Sequence, residues 1–470
     1  MDASVLHSSR HQITTLLIVI TLVLSFLPML SFMTQARAAG SHTYSSPLIL
    51  TFKGKPFTFV QNSAQPPSDA QCRAKTGFPC YSPQEIRRAY GVTTLINAGF
   101  AGQGQTIIIV DSFGSPTIRH DLKVFDEGYG LPDPPSFKIL APLGTVPFNP
   151  QKNPDQINWA FETTLDVEWA HSMAPKANIV LMTSPVDETE GVQGMPEFLF
   201  LLQYALAHHL GNIISQSWGA TENTLFNGAG RFVLEQFEEF YQRAAQQNVT
   251  VFASSGDSGS ANIDVNGKFF PFPTVIFPAS SPFVTAVGGT SLFANINGAY
   301  QHEIVWNNSI GATGGGVSQV FKEPEYQENN LQQSDQSLLN DHRGLPDIAY
   351  NADPDTSILV YLSIPVPSIP PGFYRIGGTS EGSPQWAGII ADANQMAGRP
   401  LGFLNTALYK LGNSNDAGES FHDISVGNNS FGGIPGYNAT SGWDLTTGWG
   451  TPRAGNLLQE LIELTGGSAT

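Results

Sequence analysis

The chain is 470 residues long, 41% hydrophobic and 13% charged, with 47 glycines, 33 prolines and a formal net charge of -17. Such a length holds one large domain or two ordinary ones, and the low charge fraction excludes a disordered or coiled-coil chain. With no basic cluster, the acidic balance argues against nucleic acid as a partner and hints at an acid habitat, where carboxylates lose their charge.

Residues 1–39 read as a signal peptide. Arg10 and His11 precede an apolar run over 15–33, and Ala36-Arg37-Ala38-Ala39 supplies a small-residue cleavage site. The run approaches spanning length, so an uncleaved anchor is the alternative, although Pro28 and the cleavage pattern favour export. Residues 40–80 read as a polar, loop-like segment with one strand at 48–52. Cys72 and Cys80 would close a small disulfide loop there, stabilising it by ~2–3 kcal/mol, and no histidine lies nearby to make them a metal pair.

A different pattern occupies 81–470. Ser82-Pro83-Gln84-Glu85 is a capping box with proline at the first helical position, opening a helix over 86–90. Gly102-Gln103-Gly104 turns into an apolar strand over 105–111, of the kind found in parallel sheets covered on both faces. Strands are expected at 177–182, 213–217 and 250–254, with helices at 197–210 and 229–247 between them. That alternation predicts right-handed crossovers and a doubly wound α/β sheet. Functional groups gather at the carboxyl ends of such strands, where Asp111, Ser217-Trp218-Gly219 and Ser255-Gly256-Asp257 fall.

Three features carry chemistry. A helix over 158–170 sets Glu162 and Asp166 one turn apart on one face, where like charges oppose each other unless the carboxyls share protons. A solvated acidic face is the plainer alternative. Asp257 follows an apolar strand between glycines, as a turn residue, a cap, a metal ligand or a protonated donor to an oxyanion. Gly377-Gly378-Thr379-Ser380 then leads into the apolar run Trp386-Ala387-Gly388-Ile389-Ile390-Ala391, so a hydroxyl sits on a turn before a buried helix.

Glu162-x-x-x-Asp166, Ser255-Gly256-Asp257 and Gly378-Thr379-Ser380-x-x-x-Pro384, in that order, resemble the sedolisin family of serine-carboxyl peptidases. Flanking stretches agree, among them Phe277-Pro278-Ala279-Ser280-Ser281-Pro282, Gly314-Gly315-Gly316-Val317-Ser318 and Arg343-Gly344-Leu345-Pro346-Asp347. The resemblance runs from about Tyr81 to Thr451. It implies a subtilisin-like fold with Ser380 as nucleophile, Glu162 as general base and acid, Asp166 as its orienter and Asp257 as oxyanion donor. A carboxylate base of ordinary pKa ~4.3 works in acid where a histidine of ~6.5 is protonated.

An ordinary subtilisin is the rival, since Asp111 ends a strand much as that family's catalytic Asp does. No His-Gly-Thr motif is present, however, His120 and His171 read as surface or capping residues, and position 257 is Asp where an oxyanion Asn would stand. The C-terminal loops resemble the family's calcium site. That likeness implies one structural Ca2+, with side-chain ligands Asp423 and Asp444 and carbonyl ligands from Ile424, Thr440 and Gly442; Thr440 stands where the family often has glycine. Ser217, Trp218 and Gly219, with Gly315, resemble the segments that take a peptide as an added strand. The family's large propeptide has no counterpart of that size before residue 81. The expected function is a secreted, monomeric endopeptidase active in acid on protein or peptide substrates. The alternatives are a tripeptidyl exopeptidase of the same family, or an inactive binding or adhesion module on its fold.

Overall fold

The computed structural model describes residues 57–466. The expected signal peptide and the strand at 48–52 lie outside the described residues. Seven strands form the main path of the central sheet, in the order Tyr300–Val305, Thr285–Ala294, Thr250–Ser254, Ile213–Gln216, Thr106–Ser112, Asn178–Ser184 and Phe137–Leu140; an eighth, Ile348–Asn351, also pairs with Thr285–Ala294. All pairings are parallel except that of Tyr300–Val305 with Thr285–Ala294. The apolar runs Ile107-Ile108-Ile109-Val110 and Ile179-Val180-Leu181-Met182 are buried, as strands covered on both faces must be. The helices Asp155–Met173, Met195–Ala207, Gly228–Gln246 and Gly382–Ala397 supply that cover.

Local signals place these elements. Ser82 caps the helix Pro83–Ala89 through a complete capping box with Glu85. Asn227 Oδ1 accepts from Gly230 N at 2.8 Å and starts Gly228–Gln246. Cys72 and Cys80 form the expected disulfide.

The N-terminal segment is less loop-like than its composition suggests. Phe57–Gln61 pairs antiparallel with Gly372–Ile376, which pairs in turn with Ile358–Leu362, and a capped helix Asp69–Thr76 follows. The strand's inner face explains its place: the Phe57 ring stacks on Phe161 at 3.8 Å between centroids and meets Tyr374 edge-on.

Two helices bring the functional residues together. Gly382–Ala397 packs against Asp155–Met173 with no room for a side chain at Gly388, where a Cβ would stand 2.5 Å from Met173 Cβ and 3.0 Å from Ala170 O. That close approach sets the start of one helix, with Ser380 just before it, beside the middle of the other, which carries Glu162 and Asp166. Among the described residues, no helix is long and apolar enough to cross a membrane.

Candidate active site

Strand parity and helical pitch build the site. In the parallel register Ile109 lies beside Ser215. Two residues on, the same face carries Asp111 and Ser217 at the carboxyl ends of adjacent strands. Both are buried, and the Ser217 hydroxyl donates to Asp166 Oδ1 at 2.9 Å. Every residue from Trp159 to Met173 is buried, so Glu162 and Asp166 form no solvated acidic face.

Glu162, Asp166 and Asp111 are each 0% exposed and act on one another's charge. Burial is the main cause that raises all three, Glu162 and Asp166 well above the ordinary range and Asp111 to about 7. The Ser380 hydroxyl opposes the rise at Glu162, so it lies close enough to favour the ionised carboxyl. Neither Ser380 Oγ nor either Glu162 oxygen has completed a hydrogen bond, a slack commonly seen before substrate binds.

Asp257 completes the group. Its Oδ1 accepts from Thr379 N at 2.7 Å and from Thr379 Oγ1 at 2.8 Å. Burial pushes it up to about 7 against those two donors. With Oδ1 committed as an acceptor, a proton belongs on Oδ2, which faces the turn at Gly378. That glycine has φ +128°, and a Cβ there would lie 2.5 Å from Oδ2. Only glycine lets the turn that carries Ser380 approach the acid. Thr379 also accepts from Gly256 N at 3.1 Å, clamping the two loops together. The turn Thr379–Glu381 then enters Gly382–Ala397, so Ser380 stands at a helix N-terminus, where the dipole favours developing negative charge.

The structure therefore brings Ser380, Glu162, Asp166 and Asp257 to one place and adds Asp111, Ser217 and Thr379. Asp111 entered the sequence reading as a strand-end residue and as a rival's catalytic group; its face is legible from strand parity, but the groups acting on it come from a distant helix. The strand addition expected at 217–219 and Gly315 concerns the backbone; the side-chain positions there are engaged within the protein. Ser217 is spent on Asp166. Trp218 is wholly buried, with its ring 4.5 Å from Phe198 and 6.2 Å from Phe237 between centroids. Gly219 lies against the backbone of Phe277, where a Cβ would meet the carbonyl oxygen at 2.7 Å, and Gly315 lies against the Leu445 carbonyl. These glycines make room for the protein's own backbone.

His171 is corrected as well. It is a core residue, with Nε2 2.8 Å from Pro132 O and 3.4 Å from Asp126 Oδ1, and burial lowers it to about 4. His120 is exposed, as expected. Neither contributes to the charges acting on Glu162, Asp166 or Asp257.

Near the C-terminus, Asp423 and Asp444 both reach the 440–442 turn. Asp423 accepts from Ser441 Oγ and Gly442 N at 3.1 Å, and Asp444 Oδ2 accepts from Thr440 N at 3.0 Å. Ile424 is buried beside Asp423. Gly442 has φ +83°, whereas Thr440 is not among the residues of positive φ, so a β-branched residue is tolerated where the family often has glycine. The donors are all oxygens, which fits a hard cation. Among the described residues, no group of three or more His, Cys, Asp or Glu could hold a metal ion, so carbonyls would have to complete such a site.

No family model matches the chain. Kumamolisin of Bacillus sp. (strain MN-32) is 34% identical over 400 residues, covering 83% of this chain and 66% of that protein. Sedolisin of Pseudomonas sp. (strain 101) is 35% identical over 256 residues, covering 53% and 40%. The solved structure of Pseudomonas sedolisin, a serine-carboxyl proteinase complexed with pseudo-iodotyrostatin, superposes with a TM-score of 0.67 at 28% identity over 81% of this chain and 98% of that one. The chain belongs to the sedolisin family. Human tripeptidyl-peptidase 1 is a further relative, 31% identical over 320 residues that cover 64% of this chain and 52% of that protein. The chain thus spans between two-fifths and about two-thirds of the length of kumamolisin, sedolisin and tripeptidyl-peptidase 1.

Its buried acids tie stability to pH. Folded pKa values are raised from 3.8 to about 7 for Asp111 and Asp257, to about 6 for Asp121 and to about 8 for Asp126, and from 4.5 to about 8 for Glu190. A carboxyl raised on folding stabilises fully below its unfolded pKa, and that contribution disappears as pH climbs through the folded value, at about 1.4 kcal/mol per unit of difference. Thermal unfolding should therefore show Tm highest at or below about pH 4, falling from there to about pH 8 and levelling above it; a Tm that rises over that interval contradicts the burial of these acids.

Proposed function

We propose that this sedolisin is a secreted serine-carboxyl endopeptidase that cleaves peptide bonds in acid through an acyl-enzyme. The observation that carries the reading is the convergence of Ser380, Glu162, Asp166 and Asp257 in a water-poor site. Ser380 Oγ attacks the scissile carbonyl while its proton passes to Glu162, and Glu162 returns that proton to the departing amine. Asp166, held by Ser217, orients Glu162. Protonated Asp257 donates from Oδ2 to the oxyanion, aided by the positive end of the Gly382–Ala397 helix. Water then attacks the acyl-enzyme by the same proton path in reverse.

Proton sharing lets the arrangement function. Burial alone would hold Glu162 protonated in acid, so the reading requires that its neighbours stay protonated and that the Ser380 hydroxyl, which favours the ionised form, leaves the single charge of the group on Glu162. Asp257 donates only while protonated, and raising pH through about 7 removes that donor. Activity should fall on the alkaline side. The Cys72–Cys80 disulfide supports an oxidising, extracellular location. Purified protein should degrade denatured casein at pH 3–5 and lose most of that activity above pH 7, and Ser380→Ala should lower the rate by 10³-fold or more on the scale of removed nucleophiles. Equal, absent activity of both proteins would point to a binding module, and a neutral or alkaline optimum would contradict the carboxyl relay.

A structural Ca2+ would be held by Asp423, Asp444 and the carbonyls of Ile424, Thr440 and Gly442. It would supply positive charge that ties the loop after Phe421–His422 to the 440–444 turn. Chelator should lower Tm by several degrees, and Asp444→Ala should abolish the difference between chelated and calcium-supplied protein. An unchanged Tm on chelation removes calcium from the account.

A further inference from the structure

Beyond the groups that react, one hydrogen bond reaches the helix of Glu162 from a neighbouring loop. Trp159 is wholly buried, and its Nε1 donates to Asp187 Oδ1 at 2.7 Å. Trp159 stands three residues before Glu162 and seven before Asp166 on the helix Asp155–Met173, so all three side chains share one face. A helix is stiff over so short a reach. Whatever holds Trp159 therefore also sets the height and rotation of Glu162.

The other end of that bond is anchored beside Asp111. Asp187 lies three residues past the strand Asn178–Ser184, whose Thr183 and Ser184 pair in register with Asp111 and Ser112. Ser112 Oγ donates to Val186 O at 2.9 Å and accepts from Glu188 N at 3.0 Å, so both neighbours of Asp187 are tied to the residue after Asp111. Ser184 Oγ closes the same turn by accepting from Val186 N at 3.0 Å. Gly194, at φ +82°, packs on this loop, where a Cβ would stand 2.7 Å from Asp187 O. A closed path results: from Asp111 to Ser112, across to Val186–Glu188, through the Asp187 carboxyl to the Trp159 indole, and along the helix to Glu162. The Asp155 carboxyl, one turn before Trp159, hydrogen-bonds to Asp187 as well. A second tie starts from the same indole. Trp159 meets the Phe198 ring edge-on at 6.0 Å between centroids, Phe198 meets Trp218 at 4.5 Å, and Trp218 follows Ser217, whose hydroxyl holds Asp166.

We propose that the Trp159–Asp187 hydrogen bond braces the proton relay, and that both are positioning residues which hold Glu162 in place against Asp111 and Ser380. The proposal rests on the peptidase reading. Neither residue transfers a proton; their contribution is geometric, and a base displaced by about 1 Å can cost on the order of 10²-fold in rate. A buried indole N–H deprived of its acceptor is costly to keep, so the helix shifts or admits water to satisfy it.

The test compares wild type with Asp187→Ala, Asp187→Asn, Trp159→Phe and the double variant Trp159→Phe/Asp187→Ala on one quenched peptide in mild acid, with Tm measured for each. Asp187→Ala and Trp159→Phe should each lower kcat about tenfold while KM stays within about twofold, at a Tm close to that of wild type. The double variant should be no slower than the slower single one, because both substitutions remove the same bond. Asp187→Asn keeps an acceptor for the indole and should hold kcat within about twofold of wild type. An unchanged kcat in Asp187→Ala overturns the brace, as does an Asn variant as slow as the Ala variant or a double variant whose losses multiply. Should Trp159→Phe fail to fold, the two Asp187 variants decide the matter, since that side chain is half-buried on a loop. Each of these results leaves the peptidase reading intact; wild type that turns over no peptide at any pH from about 3 to 8 overturns both.

Discussion

The cost of burying carboxyls governs this protein. Asp111, Glu162, Asp166 and Asp257 share a region closed to bulk solvent, and for each the loss of hydration is the largest influence on its proton. Among histidine-based enzymes a neutral imidazole takes up the proton and becomes charged. In the proposed mechanism a proton moves among groups that begin neutral or singly charged, and burial, with repulsion added at Glu162 and Asp166, keeps most of them protonated. That single constraint couples the working pH, the stability profile and the need for a closely packed scaffold.

The scaffold meets the need by short approaches between backbones. Gly388 lets the helix after Ser380 lie against the helix of Glu162, and Gly378 lets the nucleophile turn touch Asp257. Thr379 ties that turn to the strand end through four hydrogen bonds, with Ser254, Gly256 and Asp257. The Phe57 strand seals the far side of the Glu162 helix, with its ring against Phe161. The charged centre is thus held by apolar contacts on one side and by hydroxyl donors on the other. Loosening either admits water and lets the acids ionise independently.

Much of this was legible in the chain itself. Unbroken apolar runs such as 107–110 and 179–182 mark buried parallel strands, and Ser82 and Glu85 announce a helix start because both ends of a capping box are local. The four principal site residues were found through ordered motifs that resemble a family, and the i, i+4 spacing of Glu162 and Asp166 already put two of them on one face. What stayed hidden depends on contacts remote in sequence. Ser217 looked like a substrate contact because strand ends collect ligands, yet its hydroxyl is taken by an aspartate 51 residues earlier. His171 looked peripheral because polarity suggests exposure, but helix Asp155–Met173 is buried through its whole second half. The strand Phe57–Gln61 is short, and its place is set by pairing with the distant strand Gly372–Ile376.

The claim beneath the whole account is that Asp257 carries a proton in the working enzyme. Infrared difference spectra between the Ser380→Ala protein and the same protein with Asp257→Asn, recorded from pH 4 to pH 8, observe that proton directly through the carbonyl stretch of a protonated carboxyl. The account predicts a buried carboxylic acid band assigned to Asp257 at pH 5 that is lost as pH passes about 7. A spectrum showing only ionised carboxylate at this residue at pH 5 would contradict it.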